Sequence, residues 1–320
     1  MLNIIFIVAG LAVVVLSANW LVNGASAIAK RFNVSEMVIG LTIVAFGTSA
    51  PELTINIIST LNGNTEIAIG NVLGSNIANI LLILGISAII FPLAINKNTK
   101  WKEIPLSLLA AVVLLICAND IFIDGNSANF LTRIDGLILL MFFVIFMVYT
   151  FGIAKVNNGV QTSEPVAVLM KIPKAILFIV LGLAGLFFGG KYFVEGAVNI
   201  ARLLGVSESI IGLTIVAVGT SVPELATSIV AAYKKNAEIA VGNIVGSNIF
   251  NIFFILGVSA LIKPLPFLAT SNIDIFVTIL ASLLLFISTI TLKRAKVDRI
   301  EGIIFILVYI SYISYLIVNA

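Results

Sequence analysis

Residues 44–54 read VAFGTSAPELT, and residues 216–226 read VAVGTSVPELA. Both stretches lie in apolar runs that are otherwise typical of membrane-spanning helices, yet each contains a glycine, a proline and a glutamate. Glu52 lies about 14 residues into a run that starts near Val38, which is about 21 Å along a helix and well inside a hydrocarbon core about 30 Å thick. Because an ionisable group at that depth is costly, Glu52 and Glu224 are candidate functional residues.

These two stretches belong to a longer internal repeat. Shifting the chain by 172 residues aligns residues 34–93 with residues 206–265 without a gap and gives 37 identities in 60 positions. A second pair of motifs has the same offset, with GNVLGSNIANILLILG at 70–85 and GNIVGSNIFNIFFILG at 242–257. The repeat predicts two copies of one unit. Because the segment after the first twenty residues aligns with an internal span, we interpret the N-terminus as a helix and not as a cleaved signal peptide.

The composition predicts an all-α integral membrane protein. Of the 320 residues, 60% are hydrophobic and 10% are charged, against roughly 45–50% and 25% in soluble domains. Ten stretches are apolar and long enough for a helical span of about 20 residues. They are centred near residues 12, 49, 79, 111, 143, 185, 220, 251, 281 and 310. We therefore expect the lipid bilayer to surround the chain.

Charge and cysteine content exclude several classes of site. The net charge of +3 indicates no nucleic-acid partner, and the single cysteine excludes an internal disulfide. The chain has no histidine, so a Cys/His metal site cannot form. We predict no resident cofactor and no obligate protein partner.

Ten spans in two copies give five spans per copy, so the second copy enters the membrane from the opposite side. The sequence therefore predicts two inverted repeats, residues 1–153 and residues 173–320, joined by a linker at residues 154–172. With the N-terminus outside, 14 of the 18 lysines and arginines fall in inner loops, as the positive-inside rule favours. Both termini are expected outside the cell membrane and the linker in the cytoplasm. Inverted repeats with helices interrupted by Gly or Pro are typical of secondary transporters.

The residues around the two glutamates favour a cation site made of oxygen atoms. Pro51 has no backbone N–H, so it frees the carbonyl of Gly47, and a free carbonyl in hydrocarbon is costly unless something binds it. Two carboxylates with neighbouring hydroxyls and free carbonyls suit a hard cation such as Ca²⁺ or Na⁺ better than a soft metal.

The second motif pair adds hydroxyl and amide groups. Ser75 and Asn79 are four residues apart and share a helical face, and Ser247 and Asn251 repeat the arrangement; we interpret all four as lining the site. The remaining asparagines leave two alternatives open, site lining or hydrogen bonds across a close helix interface built on GxxxG steps. They are Asn71, Asn76, Asn243 and Asn248. Four glutamates at span edges are expected to be solvated, namely Glu36, Glu66, Glu208 and Glu238.

GTSAPE and GTSVPE, each followed by a GSNIxNI helix, resemble the two alpha-repeats of the sodium/calcium exchangers in the cation/calcium antiporter superfamily. The resemblance extends over all ten predicted spans. It implies a core of four motif-bearing helices, with residues 3–30 and 173–202 forming a pair of helices outside it that slides to alternate access.

The resemblance also implies ligands. Ca²⁺ would lie between the carboxylates of Glu52 and Glu224 and the backbone carbonyls of Thr48 and Thr220. Asn79 and Asn251 would face this central position. One flanking Na⁺ site would use Ala45, Thr48, Ser49, Glu52 and Ser75, and the other would use Ala217, Thr220, Ser221, Glu224 and Ser247. Some microbial members carry an aspartate at the position of Asn251, which leaves this chain with two carboxylates in the site.

The implied function is a secondary antiporter, not an enzyme, that exchanges three Na⁺ for one Ca²⁺ by alternating access. Two alternatives stay open. An H⁺/Ca²⁺ exchanger typically carries an acid in a GNxxE motif, where this chain has GNVLG and GNIVG. A passive cation channel would conduct Ca²⁺ regardless of the Na⁺ gradient. Potassium-dependent relatives carry extra acidic ligands, so cotransport of K⁺ is disfavoured.

Overall fold

The computed structural model describes residues 2–123, 125, 128–154, 170–205, 217–291 and 295–319. Helices account for nearly all of the regular structure in these ranges. The first half contains α1 Leu2–Phe32, α2 Glu36–Ile39, α3 Ala45–Thr48, α4 Ala50–Leu61, α5 Thr65–Ile77, α6 Gly85–Ile90, α7 Ile104–Cys117, α8 Asp120–Ile123 and α9 Arg133–Ala154. The second half contains α10 Ile172–Leu203, α11 Ala217–Thr220, α12 Val222–Tyr233, α13 Ala237–Ile249, α14 Gly257–Ile262, α15 Ser271–Ser288 and α16 Arg299–Asn319.

In the described part of the chain, four segments between these helices have the wider π-helical turn. They are π1 Gly40–Val44, π2 Ala78–Leu84, π3 Thr99–Glu103 and π4 Phe250–Leu256. Each continues directly into the next α-helix, so α5, π2 and α6 form one continuous rod, as do α13, π4 and α14. Single π-helical turns inside α-helices are rare and occur frequently at functional sites.

Seven helical rods in the described residues are long and apolar enough to cross a membrane. They are Asn3–Phe32, Ile67–Ile90, Arg133–Ala154, Ile172–Leu203, Ala237–Ile262, Ser271–Ser288 and Arg299–Val318. An eighth span is a broken pair, Glu36–Thr48 and Ala50–Leu61, bent by 45°. The protein is therefore an all-helical, multi-pass membrane protein.

The sequence predicted ten spans, and two of them are not among the helices that are long and apolar enough to cross a membrane. The stretch centred near residue 111 corresponds to α7, which has 14 residues. The stretch centred near residue 220 begins in residues 206–216, which lie outside the described ranges. The count of ten and the opposite orientation of the two halves remain predictions, as does the cytoplasmic linker, since its residues 155–169 are outside the described part of the chain.

Burial separates central from peripheral helices. In the rods Ile67–Ile90 and Ala237–Ile262, 72% and 83% of the most apolar stretch is buried inside the protein, whereas the same share in the other five single spans is 17–33%. The two rods that carry the GSNIxNI motif therefore lie in the middle of the bundle, and the others present apolar side chains outward, where lipid is their natural solvent.

Two short strand pairs connect the halves reciprocally. Strand β1 (Leu93–Ala94) pairs with β4 (Lys296–Val297), and β2 (Phe130–Leu131) pairs with β3 (Leu265–Pro266), both antiparallel. Strands β1 and β3 occupy equivalent positions in the 172-residue repeat. In each half, the strand that follows the GSNIxNI helix therefore pairs with a strand of the other half.

The two longest helices, α1 and α10, pack against each other as an antiparallel pair. A Cβ atom added at Gly10 would lie 2.8 Å from the backbone N of Phe193, and one added at Gly182 would lie 2.8 Å from the backbone N of Leu21. Because these distances are shorter than real carbon contacts, glycine allows the two backbones to touch at both places. The two helices are therefore in direct backbone contact at two separate places along the pair.

Candidate cation-binding site

Each break in the repeated GTSxPE motif positions a glutamate in the first turn of a helix. Ser49 separates α3 from α4 with φ −83° and ψ 8°, and Ser221 separates α11 from α12 with φ −85° and ψ 8°. In both cases a proline lies at the start of the new helix, where its missing N–H costs nothing. Glu52 and Glu224 follow in the first turn, where the positive end of the helix dipole stabilises a carboxylate.

Both carboxylates are buried, and serines of both halves surround them. Glu52 and Glu224 are each 1% exposed. The Ser49 hydroxyl donates to Glu224 Oε1 at 3.0 Å, and the Ser221 hydroxyl lies 3.5 Å from Glu52 Oε1, at the limit of a hydrogen bond. Ser247 also donates to Glu224 Oε1, at 3.4 Å. The resemblance implies Na⁺ sites that group Ser49 with Glu52 and Ser221 with Glu224, whereas the hydroxyls of Ser49 and Ser221 reach the glutamate of the other half.

The two threonines of the motifs contact asparagines of the opposite half. The Thr48 hydroxyl donates to Asn243 Oδ1 at 3.0 Å, and the Thr220 hydroxyl donates to Asn71 Oδ1 at 3.4 Å. The Asn243 amide in turn donates to Ser228 Oγ at 3.1 Å. Asn71 and Asn243 thus form hydrogen bonds across the helix interface, the second of the two alternatives that the sequence left open.

Asn79 and Asn251 lie in π2 and π4, and both are 1% exposed. The Asn79 amide donates to Asn248 Oδ1, and the Asn251 amide donates to Asn76 Oδ1, each at 2.9 Å. Each of these bonds joins one half of the chain to the other, as the contacts of Ser49 and Ser221 do. The structure therefore brings the asparagines of the two central rods into one buried network.

Several buried oxygen atoms around this network have no hydrogen-bond partner within the described residues. They are Oε2 of Glu52, Oε2 of Glu224, Oγ of Ser75, Oδ1 of Asn79 and Oδ1 of Asn251. Buried polar atoms in native proteins nearly always have a partner. Five acceptor oxygens on repeat-related motif residues therefore point to a ligand that is rich in positive charge.

The backbone at the two breaks differs between the halves. The carbonyl of Ala45 accepts a hydrogen bond from the Ser49 N–H at 3.0 Å, whereas the Ser221 N–H donates to the carbonyl of Val218 at 3.1 Å. Ala217 opens α11, and its side chain is outside the described set. The Ala45 carbonyl also lies 3.3 Å from the Thr48 hydroxyl, so an ion there would compete with that hydroxyl for the second lone pair.

A cavity of about 430 Å³ lies beside the breaks. Pro51, Thr220 and Pro223 form its inner wall, and Lys191 and Arg202 of α10 lie along it. A Cβ atom at Gly47 would overlap Leu183, and one at Gly219 would overlap Val194. Helix α10 therefore lies against both breaks and forms one wall of this cavity.

At the span edges, the expectation of a fully solvated carboxylate does not hold for Glu238. Its side chain is half-buried, accepts a hydrogen bond from the Met37 N–H at 3.1 Å, and lies 3.4 Å from Asn96 Nδ2. Glu238 thus caps the start of α2 from another helix. Glu208 and the side chain of Glu66 are outside the described set.

Known proteins resemble the chain over almost its whole length. It matches the profile of the family described as "Sodium/calcium exchanger protein" at residues 2–152 and 174–318. It is 40% identical over 315 residues to the putative antiporter CaxA of Alkalimonas amylolytica, with 96% of each chain covered. It is 33% identical over 344 residues to the sodium/calcium exchanger MaX1 of Methanosarcina acetivorans, with 97% of each chain covered.

A solved structure agrees with this match. The sodium-calcium exchanger NCX_Mj, from a crystal soaked with 2.5 mM Na⁺ and 0.1 mM Ca²⁺, superimposes with a TM-score of 0.83 at 35% identity and 98% coverage of both chains. The fold and the buried oxygen-rich breaks are those of a membrane ion antiporter, not of an enzyme. The chain belongs to the sodium/calcium exchanger protein family.

Proposed function

We propose that the protein exchanges Na⁺ for Ca²⁺ across the cell membrane by alternating access, with three Na⁺ for each Ca²⁺. The observation that carries this proposal is the set of buried acceptor oxygens without protein partners in the described residues, repeated on both halves around Glu52 and Glu224. Carboxylate, hydroxyl and amide oxygens are the ligands of hard cations. The names of the relatives support the same pair of ions.

Charge balance limits what the site can hold. Two buried carboxylates neutralise one Ca²⁺ or two Na⁺, and an uncompensated charge in a dry interior is strongly unfavourable. We assign Ca²⁺ to Glu52 and Glu224 with the Thr48 and Thr220 carbonyls, and the amide oxygens of Asn79 and Asn251 to the centre. The flanking Na⁺ sites use Ala45, Thr48, Ser49, Glu52 and Ser75 in one half and Ala217, Thr220, Ser221, Glu224 and Ser247 in the other. The third Na⁺ takes the shared centre when Ca²⁺ is absent, which leaves one positive charge more than the two carboxylates balance.

The crossed serine contacts explain how the two ion types would compete. Ser49 of the first half contacts Glu224, and Ser221 of the second half approaches Glu52. A flanking Na⁺ that recruits either serine would change the hydrogen bonding of the opposite carboxylate. Occupation of the flanking sites would therefore alter the central ligands that Ca²⁺ requires.

The deciding experiment is Ca²⁺ uptake into vesicles that contain the purified protein and are loaded with Na⁺. We expect uptake with an outward Na⁺ gradient and none when Li⁺, K⁺ or a pH step replaces it. Uptake driven by the pH step would assign an H⁺/Ca²⁺ exchanger, and uptake without any gradient would assign a channel.

The glycine contacts between α1 and α10 predict a transport defect. Gly182→Leu must separate the helices, because even a Cβ atom there lies 2.8 Å from the Leu21 backbone. Overpacking costs about 1–3 kcal/mol, so we expect exchange to slow by about tenfold while equilibrium Ca²⁺ binding changes little. Gly152→Leu is the matched control, since nothing lies within 4 Å of a Cβ there. Unchanged exchange by Gly182→Leu would refute sliding of this pair.

The charge distribution predicts the sidedness of the protein. In a Cys117→Ala background, a cysteine at Asn158 should be protected from an impermeant thiol reagent in intact cells, and one at Ala320 should react. Both positions are outside the described residues, so the prediction rests on the inner-loop bias of lysine and arginine. The reverse labelling pattern would invert the proposed topology.

A further inference from the structure

Asn76 and Asn248 are joined by a reciprocal pair of hydrogen bonds at the contact between the two central rods. The Asn76 amide donates to the backbone carbonyl of Asn248 at 3.3 Å, and the Asn248 amide donates to the backbone carbonyl of Asn76 at 3.2 Å. Both side chains are buried, with 0% and 1% exposure. Asn76 and Asn248 occupy equivalent positions in the 172-residue repeat, and they lie at the interface between the two halves.

These backbone contacts fix the direction of both amides. A carbonyl oxygen only accepts hydrogen bonds, so the end of each side chain that faces it must be the NH₂ group. The opposite end of each side chain is then Oδ1, which also only accepts. Asn76 and Asn248 each therefore present a fixed acceptor to whatever lies on their other side.

The groups on that other side are the two asparagines assigned to the ion site. Asn79 Nδ2 donates to Asn248 Oδ1, and Asn251 Nδ2 donates to Asn76 Oδ1, both at 2.9 Å. The NH₂ groups of Asn79 and Asn251 therefore face the asparagine of the opposite half, and their Oδ1 atoms point the other way. Within the described residues, Oδ1 of Asn79 and Oδ1 of Asn251 are left buried and without a partner.

We propose that Asn76 and Asn248 are positioning residues that hold the Asn251 and Asn79 amides with their oxygens, and not their NH₂ groups, toward the transported cations. The proposal rests on the proposed function. Each positioning residue acts on the asparagine of the opposite half, so the functional pairs are Asn76 with Asn251 and Asn248 with Asn79.

The consequence is a loss of ion affinity when an acceptor is removed. Without Asn248 Oδ1, the Asn79 amide is free to turn by about 180° and to present NH₂ groups to a cation, which repel it. Residues that orient metal ligands typically contribute about 10- to 100-fold to affinity. We expect Asn248→Ala and Asn76→Ala to weaken equilibrium Ca²⁺ binding by that factor.

Double-mutant cycles distinguish positioning from helix packing. The crossed pairs are those between the two halves, Asn76 with Asn251 and Asn248 with Asn79. Ca²⁺ dissociation constants are measured on purified protein for Asn76→Ala, Asn79→Ala, Asn248→Ala, Asn251→Ala and their pairwise combinations. In the crossed pairs, the double variant should lose no more affinity than its more severe single variant, because a ligand that is already absent needs no positioning. In the same-half pairs, Asn76 with Asn79 and Asn248 with Asn251, the losses should multiply.

Several results would overturn the proposal. Losses that multiply in the crossed pairs, or non-additivity confined to the same-half pairs, contradict the crossed contacts. Alanine variants of Asn76 and Asn248 that melt at lower temperature in chelator but keep the parent's Ca²⁺ affinity assign a packing role instead. Serine replaces alanine where alanine gives no folded protein, and failure of both, with stable Asn79→Ala and Asn251→Ala, also assigns packing.

The same measurements separate this inference from the proposed exchange. A parent protein that binds Ca²⁺ with crossed coupling but shows no Na⁺-driven uptake would refute the exchange and retain the positioning role. A parent that exchanges the ions but shows independent losses in the crossed pairs would refute the positioning role alone.

Discussion

Glu52→Gln and Glu224→Gln should each abolish Na⁺-driven Ca²⁺ uptake while leaving a folded protein. Both carboxylates are 1% exposed and each has an unpartnered oxygen in the described structure. Glutamine keeps the shape and removes the charge, so one remaining carboxylate cannot balance a dehydrated Ca²⁺. Removing one partner of a buried charge pair costs about 3–5 kcal/mol, which corresponds to a loss of roughly 10²- to 5 × 10³-fold in Ca²⁺ affinity.

The measurement is uptake of Ca²⁺ into Na⁺-loaded vesicles, with equilibrium binding on the same preparations. Glu36→Gln is the matched control, because Glu36 begins α2 at a span edge and is not among the buried carboxylates. It should keep the parent's uptake. Normal exchange by Glu52→Gln or Glu224→Gln would remove that residue from the ion site, and complete loss in Glu36→Gln would mean that the span edge is misplaced.

Much of the fold could be predicted from the sequence because the repeat constrains it. The 172-residue offset places Ser49 and Ser221 at equivalent positions, and their backbone angles agree within a few degrees. The break itself follows from Pro51, which cannot donate within a helix. The all-helical membrane class is confirmed by the long apolar rods.

The π-helical turns could not be predicted, since hydrophobic periodicity over seven residues does not distinguish π-helical from α-helical turns. The tertiary partners of the serines could not be predicted either. The family resemblance places Ser49 and Glu52 in one Na⁺ site, whereas helix packing brings the Ser49 hydroxyl to Glu224. The orientation of the asparagine amides depends on contacts between the two central rods, and no local pattern encodes it. The ligand sets of the two Na⁺ sites stay a prediction.

Net charge movement follows from the number of ions in each cycle. Three Na⁺ against one Ca²⁺ carries one positive charge across the membrane in the direction of the Na⁺. One charge crossing 100 mV changes the free energy by about 2.3 kcal/mol, which shifts the attainable Ca²⁺ ratio roughly 50-fold. Exchange of two Na⁺, which the two carboxylates alone would balance, moves no net charge.

The steady-state Ca²⁺ ratio should therefore depend on membrane potential. In Na⁺-loaded vesicles, Na⁺ leaves as Ca²⁺ enters, so a net positive charge leaves with each cycle, and an inside-positive potential favours Ca²⁺ accumulation. A K⁺ diffusion gradient with an ionophore sets the potential to either sign at a constant Na⁺ gradient, and vesicles clamped at zero potential serve as the control. An inside-positive potential of about 100 mV should raise the Ca²⁺ ratio roughly 50-fold over that control, and the opposite potential should lower it by the same factor. If the Ca²⁺ ratio is the same at both potentials, the exchange is electroneutral. Two Na⁺ at the two carboxylates would then suffice, and the assignment of Ser75 and Ser247 to separate Na⁺ sites would lose its basis.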